Sequence, residues 1–167
     1  MQKITPFLWF DDKAEAAARF YTSIFKPSKI LNVLRYDQAA ARVSGRPEGS
    51  VMTVAFQLAG QEFTALNGGP LFKFTEAVSF AVNCRTQKEV DYYWRKLTAG
   101  GGRPGQCGWL KDKFGFSWQV MPTILDELLG SRDAAKAQRV MKALLTMRKL
   151  DIKKLKQAYR GEGKRSE

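Results

Sequence analysis

The order strand, helix, strands can be read twice in this chain of 167 residues, once over residues 4–67 and again over residues 77–122. In the first pass "ITPFLWF" (residues 4–10) reads as a strand and "DDKAEAAARFYTSIF" as a helix. Asp11 or Asp12 is expected to cap that helix, Ala16, Phe20 and Ile24 fall at helical spacing, and Pro27 closes it. "SKILNVLRY" is a second strand, "DQAAARVSGRPEGS" reads as a polar loop, and "VMTVAFQLAGQEFTALNGG" as two strands around a tight turn near Gly60 and Gln61. In the second pass "AVSFAVNC" is a strand and "TQKEVDYYWRKLTAGGG" a helix. Thr86 and Glu89 stand three apart as a capping box, and the glycine run ends the helix. "GQCGWLKDKFGFSWQVMP" then reads as two strands joined by the turn "DKFG", with Lys73 and Glu76 available to pair near the preceding turn. A mixed unit repeated within one chain, with a shorter stretch after the second helix, predicts an α+β fold of two like units, at about residues 1–70 and 71–123.

Beyond Pro122 the pattern turns helical. "TILDELLGS" is a short helix. "DAAKAQRVMKALLTMRK" puts Ala137, Val140, Met141, Leu144 and Leu145 on one face, and "DIKKLKQAYR" does the same with Ile152, Leu155 and Tyr159. Residues 124–161 are therefore expected to form a helical C-terminal extension, and residues 162–167 a disordered tail. The net charge of +12 is concentrated there: residues 132–167 hold twelve Lys and Arg against four Asp and Glu, which is +8 and leaves +4 for the rest.

The two cysteines, Cys84 and Cys107, are too far apart for a CxxC motif and no histidine accompanies them, so a zinc site is not expected. The opening "MQKITPFLWFDDK" has neither the apolar length of a membrane span nor the form of a signal peptide, and a cytoplasmic location is the expectation.

Three separated stretches, "ITPFLWFDDKAEAAARFYTSIF", "FTALNGGPLFKFTEAVSFAVNC" and "GQCGWLKDKFGFSWQVMP", closely resemble the PhnB-like branch of the vicinal oxygen chelate superfamily. That superfamily contains glyoxalase I, bleomycin-resistance proteins and extradiol dioxygenases, and the branch is also labelled 3-demethylubiquinone-9 3-methyltransferase-like. The resemblance implies paired βαβββ units whose curved mixed sheets enclose a cleft, with a homodimer as the assembly. Methyl transfer from S-adenosylmethionine would call for a glycine-rich strand-to-helix turn with an acidic residue on the next strand. Here "ALNGG" runs into Pro70 and another strand, so its glycines make a turn.

Metal-using members take their ligands from the first and last strands of each unit. By that resemblance the positions fall on Thr5, near Ala77, on Gln119, and on Thr64 or Asn67. None carries a carboxylate, thiolate or imidazole donor, so neither metal nor other cofactor is expected. Strand alternation then carries the cleft outward from those positions. Phe7 and Trp9 join Thr5, Ser79 and Ala81 join Ala77, and Ser117 and Met121 join Gln119. The candidate ligand-binding residues are thus Thr5, Phe7, Trp9, Ser79, Ser117, Gln119 and Met121, with Trp9 and Gln119 expected on one pocket. Aromatic walls with neutral hydrogen-bonding groups suit a small apolar or aromatic molecule, and no catalytic residue is identified.

Two other readings stand beside this one. A metal-dependent lyase or dioxygenase of the same superfamily would demand better ligands than these positions supply. A nucleic-acid-binding module could use the basic helices to neutralise phosphates, but Val140, Leu144, Ile152 and Leu155 give those helices an apolar stripe to bury, so nucleic acid is not the expected partner. Whether any reaction is catalysed stays open.

Overall fold

The computed structural model describes residues 2–162. The chain divides into two compact units, Met1–Phe74 and Thr75–Glu167. The expected tail lies outside the described residues apart from Glu162, whose N–H donates to the Gln157 carbonyl at 3.0 Å.

The first unit runs β1 (Phe7–Phe10), α1 (Ala14–Ile24), β2 (Ser28–Arg35), α2 (Gln38–Ser44), β3 (Val51–Leu58) and β4 (Gln61–Asn67). Its sheet has the order β1-β4-β3-β2, with β1 parallel to β4 and the other pairs antiparallel. β3 and β4 are joined by Ala59 and Gly60, both at positive φ, which is the backbone a two-residue hairpin loop demands. The face of α1 that packs on the sheet is Ala14, Ala17, Ala18, Tyr21 and Ile24, so Ile24 is placed as expected while Ala16 is exposed and Phe20 only half-buried. Three alanines within the first two turns let the helix lie close to the strands. Tyr21 then stacks on Phe56, and Phe56 on Phe63, with ring centroids 6.3 and 5.4 Å apart. Burying each such ring stabilises the unit by roughly 1.5–3 kcal/mol.

Two local expectations in this unit are corrected. Neither Asp11 nor Asp12 caps α1; the N-cap position is Lys13 without a side-chain bond, and the Ala14 N–H is met by Asn67 Oδ1 at 2.8 Å. The segment after β2 is not all loop. Asp37 Oδ1 accepts the Ala40 N–H at 2.8 Å, the run "QAAARVS" continues as α2, and Gly45 ends it at φ 70°. The Gly and Pro residues that suggested a loop all lie after that helix.

The second unit runs β5 (Ser79–Cys84), α3 (Gln87–Thr98), β6 (Arg103–Pro104), β7 (Trp109–Lys111), β8 (Ser117–Pro122), α4 (Ile124–Leu129), α5 (Ala134–Leu145) and α6 (Ile152–Arg160). The sheet order β5-β8-β7-β6, with β5 parallel to β8, reproduces the topology of the first unit. The expected repetition and α+β class are therefore present, with the two-residue β6 an addition to the strands expected from sequence. The capping box at α3 is complete: Thr86 Oγ1 accepts from the Glu89 N–H, and Glu89 Oε2 accepts from the Thr86 N–H, both at 3.2 Å. Asp112, buried in the turn between β7 and β8, accepts from the Phe114 and Phe116 N–H groups through Oδ1 and from Trp118 Nε1 through Oδ2.

The C-terminal helices belong to this second unit. Leu125, Leu128, Val140, Leu144, Leu150 and Leu155 form one buried cluster, with Cys107, Met121 and Tyr159 packed against it. The Cys107 and Gly108 N–H groups donate to the Met147 and Arg148 carbonyls, both at 2.8 Å, which stitches the strand sheet to the end of α5. On α5 the packed face is narrower than the periodicity suggested: Val140 and Leu144 are buried, whereas Met141 and Leu145 are 42% and 62% exposed.

Candidate functional site

In β5 and β8 the parallel register pairs Ser79 with Ser117, Ala81 with Gln119 and Asn83 with Met121. These six residues alternate with Val82, Cys84, Trp118 and Val120, which are buried, so they share the opposite face of the sheet. Strand β7 adds Trp109 opposite Gln119 and Lys111 opposite Ser117 on that same face. Sequence alternation placed Ser79, Ser117, Gln119 and Met121 together, and the structure brings them together. Alternation along β5 extends the face to Asn83, although sequence reasoning stopped at Ala81; Trp109, read from sequence as lying on a strand near the mouth of the cleft, and Lys111 are fixed on it by cross-strand register.

The hydrogen bonding on this face is incomplete in an informative way. Gln119 Nε2 donates to Ser79 Oγ at 2.9 Å. Ser117 is 1% exposed, yet its hydroxyl has no hydrogen-bond partner among the described residues. A buried hydroxyl left unpaired is costly, which makes it a place where a ligand atom would be favoured. Further along β8 a cavity of about 350 Å³ is lined by Ala81, Asn83, Gln119, Met121, Leu125 and Asp126, with Ser117 outside its lining. Its walls combine aliphatic surface with one carboxylate and two amides. Met121 serves two roles, lining this cavity and packing against the helical cluster.

Charge enters from the neighbouring strand. Lys111 Nζ is 2.6 Å from Glu76 Oε1, so Glu76 pairs with Lys111 and not with Lys73. The hydrogen bond from Lys111, and then its charge, hold the Glu76 carboxyl below the usual carboxylate value. The face is neutral along β5 and β8, carries the Lys111–Glu76 ion pair at β7, and ends at β6 with Arg103 opposite Lys111.

Thr5, Phe7 and Trp9 lie in the first unit. Thr5 is exposed and precedes β1; Phe7 and Trp9 alternate with buried Leu8 and Phe10. Register places Phe7 beside Thr64 and Trp9 beside Leu66. The Trp9 indole is engaged within its own unit: Nε1 donates to the Gly69 carbonyl at 2.9 Å, and its ring meets Phe72 edge-on at 5.0 Å. A Cβ on Gly68 would collide with the Trp9 ring, so the ring fills the turn after β4.

This geometry bears on two groups that relatives of such a fold could suggest. Asn67 cannot offer a metal its oxygen without giving up a structural bond, because Oδ1 accepts from Ala14 and Nδ2 donates to the Val51 carbonyl at 3.0 Å. Ala77 is an exposed methyl, and Gln119 is an amide already bonded to Ser79. Among the described residues no group of three or more His, Cys, Asp and Glu could hold an ion. The donor set does not fit a transition metal. Nor does the glycine turn at residues 67–70 fit S-adenosylmethionine: it follows β4 without opening a helix, and Trp9 is packed into it.

The cysteines are placed differently. Cys84 is fully buried, and its thiol is pushed up to about 12, first by burial and then by the charge of Glu89. Cys107 is half-buried and its Sγ lies 3.6 Å from the Leu144 carbonyl.

Comparison with known proteins gives a consistent picture. The family described as 3-demethylubiquinone-9 3-methyltransferase matches residues 2–121. Among curated proteins none matches the sequence. Among solved structures, a PhnB protein from Bacillus cereus labelled 3-demethylubiquinone-9 3-methyltransferase is 39% identical with a TM-score of 0.64, the match covering 73% of this chain and 100% of that one. Protein PA1353 from Pseudomonas aeruginosa is 17% identical with a TM-score of 0.58, covering 73% and 98%. The fosfomycin resistance protein FosX from Listeria monocytogenes is 18% identical with a TM-score of 0.51, covering 76% and 97%. At those identities the last two show the fold alone.

Proposed function

Because the chain belongs to the 3-demethylubiquinone-9 3-methyltransferase family, the PhnB-like branch of the vicinal oxygen chelate superfamily, we propose that it binds a small apolar or aromatic molecule on the open face of β5 and β8 without a metal ion. The observation that carries this reading is Gln119 at the wall of the cavity, bonded to Ser79 through Nε2, with the buried Ser117 hydroxyl two residues away unpaired among the described residues. Gln119 keeps its Oε1, which has no partner among the described residues, to accept from a ligand donor. Ser117 can donate or accept. Ala81, Met121 and Leu125 supply aliphatic contact, and Trp109 supplies an aromatic flank.

Binding by shape and desolvation asks nothing of a titrating group, and this agrees with a face that is neutral along β5 and β8, where Lys111 is paired with Glu76 and the next charge, Arg103, stands on the outermost strand β6. Thr5, Phe7 and Trp9 are proposed as ligand contacts of the first unit, Trp9 through its ring alone since its N–H is taken. We assign no methyl transfer despite the family label, for the reason given by the packed glycine turn. No helix among the described residues is long and apolar enough to cross a membrane, and a cytoplasmic homodimer is part of the proposal.

The test is a thermal-shift screen of uncharged aromatic and aliphatic compounds on the wild-type chain, Ser117→Ala, Gln119→Leu and Trp9→Ala, with assembly state checked for each. The proposal expects hits whose stabilisation is reduced in Ser117→Ala and Gln119→Leu. Unchanged stabilisation in both variants would count against the site.

A further inference from the structure

The geometry points to a second binding site, for a phosphorylated small molecule, in the groove between the N-terminal end of α3 and the length of α6. A cavity of about 530 Å³ opens there, within the range of small-molecule sites, and shares no residue with the cavity beside Gln119. Arg85, Lys153, Lys156 and Arg160 all line it. Their convergence has a sequence cause. Positions 153, 156 and 160 follow the i, i+3, i+7 spacing of one helical face, while Leu155 turns into the core on another. Arg85 reaches the same groove from the residue before the α3 cap.

The cations are not balanced by the acids beside them. Asp151 lines the groove but caps α6, accepting the Lys154 N–H at 3.0 Å. Glu162 lies 3.8 Å from Arg160. Arg85, Lys153 and Lys156 have no carboxylate partner among the described residues. Two acids against four bases leave a local excess of positive charge matching a phosphate or diphosphate group.

The groove is also held in shape by side-chain hydrogen bonds across it. Gln87 bridges its two walls, donating through Nε2 to the Leu150 carbonyl at 3.1 Å and accepting the Ile152 N–H through Oε1 at 2.9 Å. Ile152 contributes apolar wall for the organic part of a ligand. A concave, fixed groove with an apolar wall favours a compact phosphorylated molecule over an extended nucleic-acid backbone, which needs only a convex basic stripe. The family match ends at residue 121, so α6 is supplied by the segment beyond it and the site joins that segment to α3 of the matched region.

The experiment titrates the full chain with pyrophosphate and with ADP, reading heat and thermal shift, and repeats both on Lys153→Gln/Lys156→Gln and on Lys3→Gln/Lys29→Gln. The control pair removes the same charge from exposed positions of the first unit. Both probes are expected to bind the wild type, ADP more tightly, with a loss of about tenfold in the groove variant and none in the control. The proposal is overturned if pyrophosphate does not bind, if ADP does not, if the control loses as much as the groove variant, or if duplex DNA binds where pyrophosphate fails.

Discussion

Asn67 Oδ1, at the end of β4, accepts the backbone N–H of Ala14, the first residue of α1, at 2.8 Å across 53 positions of sequence. Its Nδ2 donates to the Val51 carbonyl, and its own carbonyl accepts the Tyr36 hydroxyl at 2.7 Å. These three polar groups of Asn67 are thus occupied in holding a helix and a tyrosine to the sheet.

Asn67→Leu is expected to destabilise the first unit by about 3 kcal/mol, because it strands a helix-end N–H and a strand carbonyl. Asn67→Asp, which keeps the acceptor for Ala14 and loses the donor to Val51, is expected to fall between. Chemical denaturation of both variants checks this. Asn67→Leu with wild-type stability would contradict the assigned role.

Gly68→Ala is expected to cost about 2–3 kcal/mol, since the new methyl would meet a Trp9 ring anchored by its bond to Gly69. The double variant Gly68→Ala/Trp9→Leu should lose less than the sum of the two single changes, because the smaller side chain vacates the space the methyl enters. Full additivity in a double-mutant cycle would show that the ring does not fill the turn.

Cys84 is expected to resist alkylation by iodoacetamide at pH 8 until the chain unfolds, because burial disfavours its thiolate and closes access. The sign for stability follows: the folded chain ionises Cys84 at about 12 against 9.0 ordinarily, so this contribution is present below pH 9 and is lost as pH rises from 9 toward 12. Mass spectrometry of the labelled native chain reads the first point. Rapid native labelling at Cys84 would contradict it.

A homodimer is expected by light scattering at micromolar concentration. Ile4, Phe7, Leu71, Phe72 and Val78 are each more than half exposed, and β2 and β6 end their sheets with an unpaired edge. A monomer at that concentration would contradict the assembly.

What could be read in the sequence was what depends on near neighbours. Thr86 and Glu89 announce their capping box because three residues separate them. Ser79, Ser117, Gln119 and Met121 share a face because a strand's period is two, whatever its partners. The contacts that escaped join segments distant in sequence: Trp109 opposite Gln119 by strand register, Lys111 reaching Glu76 in the turn before β5, and Asn67 of β4 serving Ala14 of α1. Helix α2 was hidden by the Gly and Pro that follow it, although Asp37, an alanine run and Gly45 mark its start, body and end. Met141 and Leu145 show the converse, since helical spacing marks a stripe wider than the packing uses.

The central claim is a metal-independent ligand site whose hydrogen-bonding core is Ser79, Ser117 and Gln119. Its most direct test is calorimetric titration of one hydroxylated aromatic hit into wild type and Gln119→Leu, each before and after exhaustive dialysis against a chelator. The account predicts wild-type affinity unchanged by chelation, and a loss of about tenfold in Gln119→Leu, whose leucine would leave the ligand hydroxyl buried and unpaired. Binding abolished by the chelator and restored by one equivalent of zinc, nickel or iron, or affinity untouched by Gln119→Leu, would contradict it.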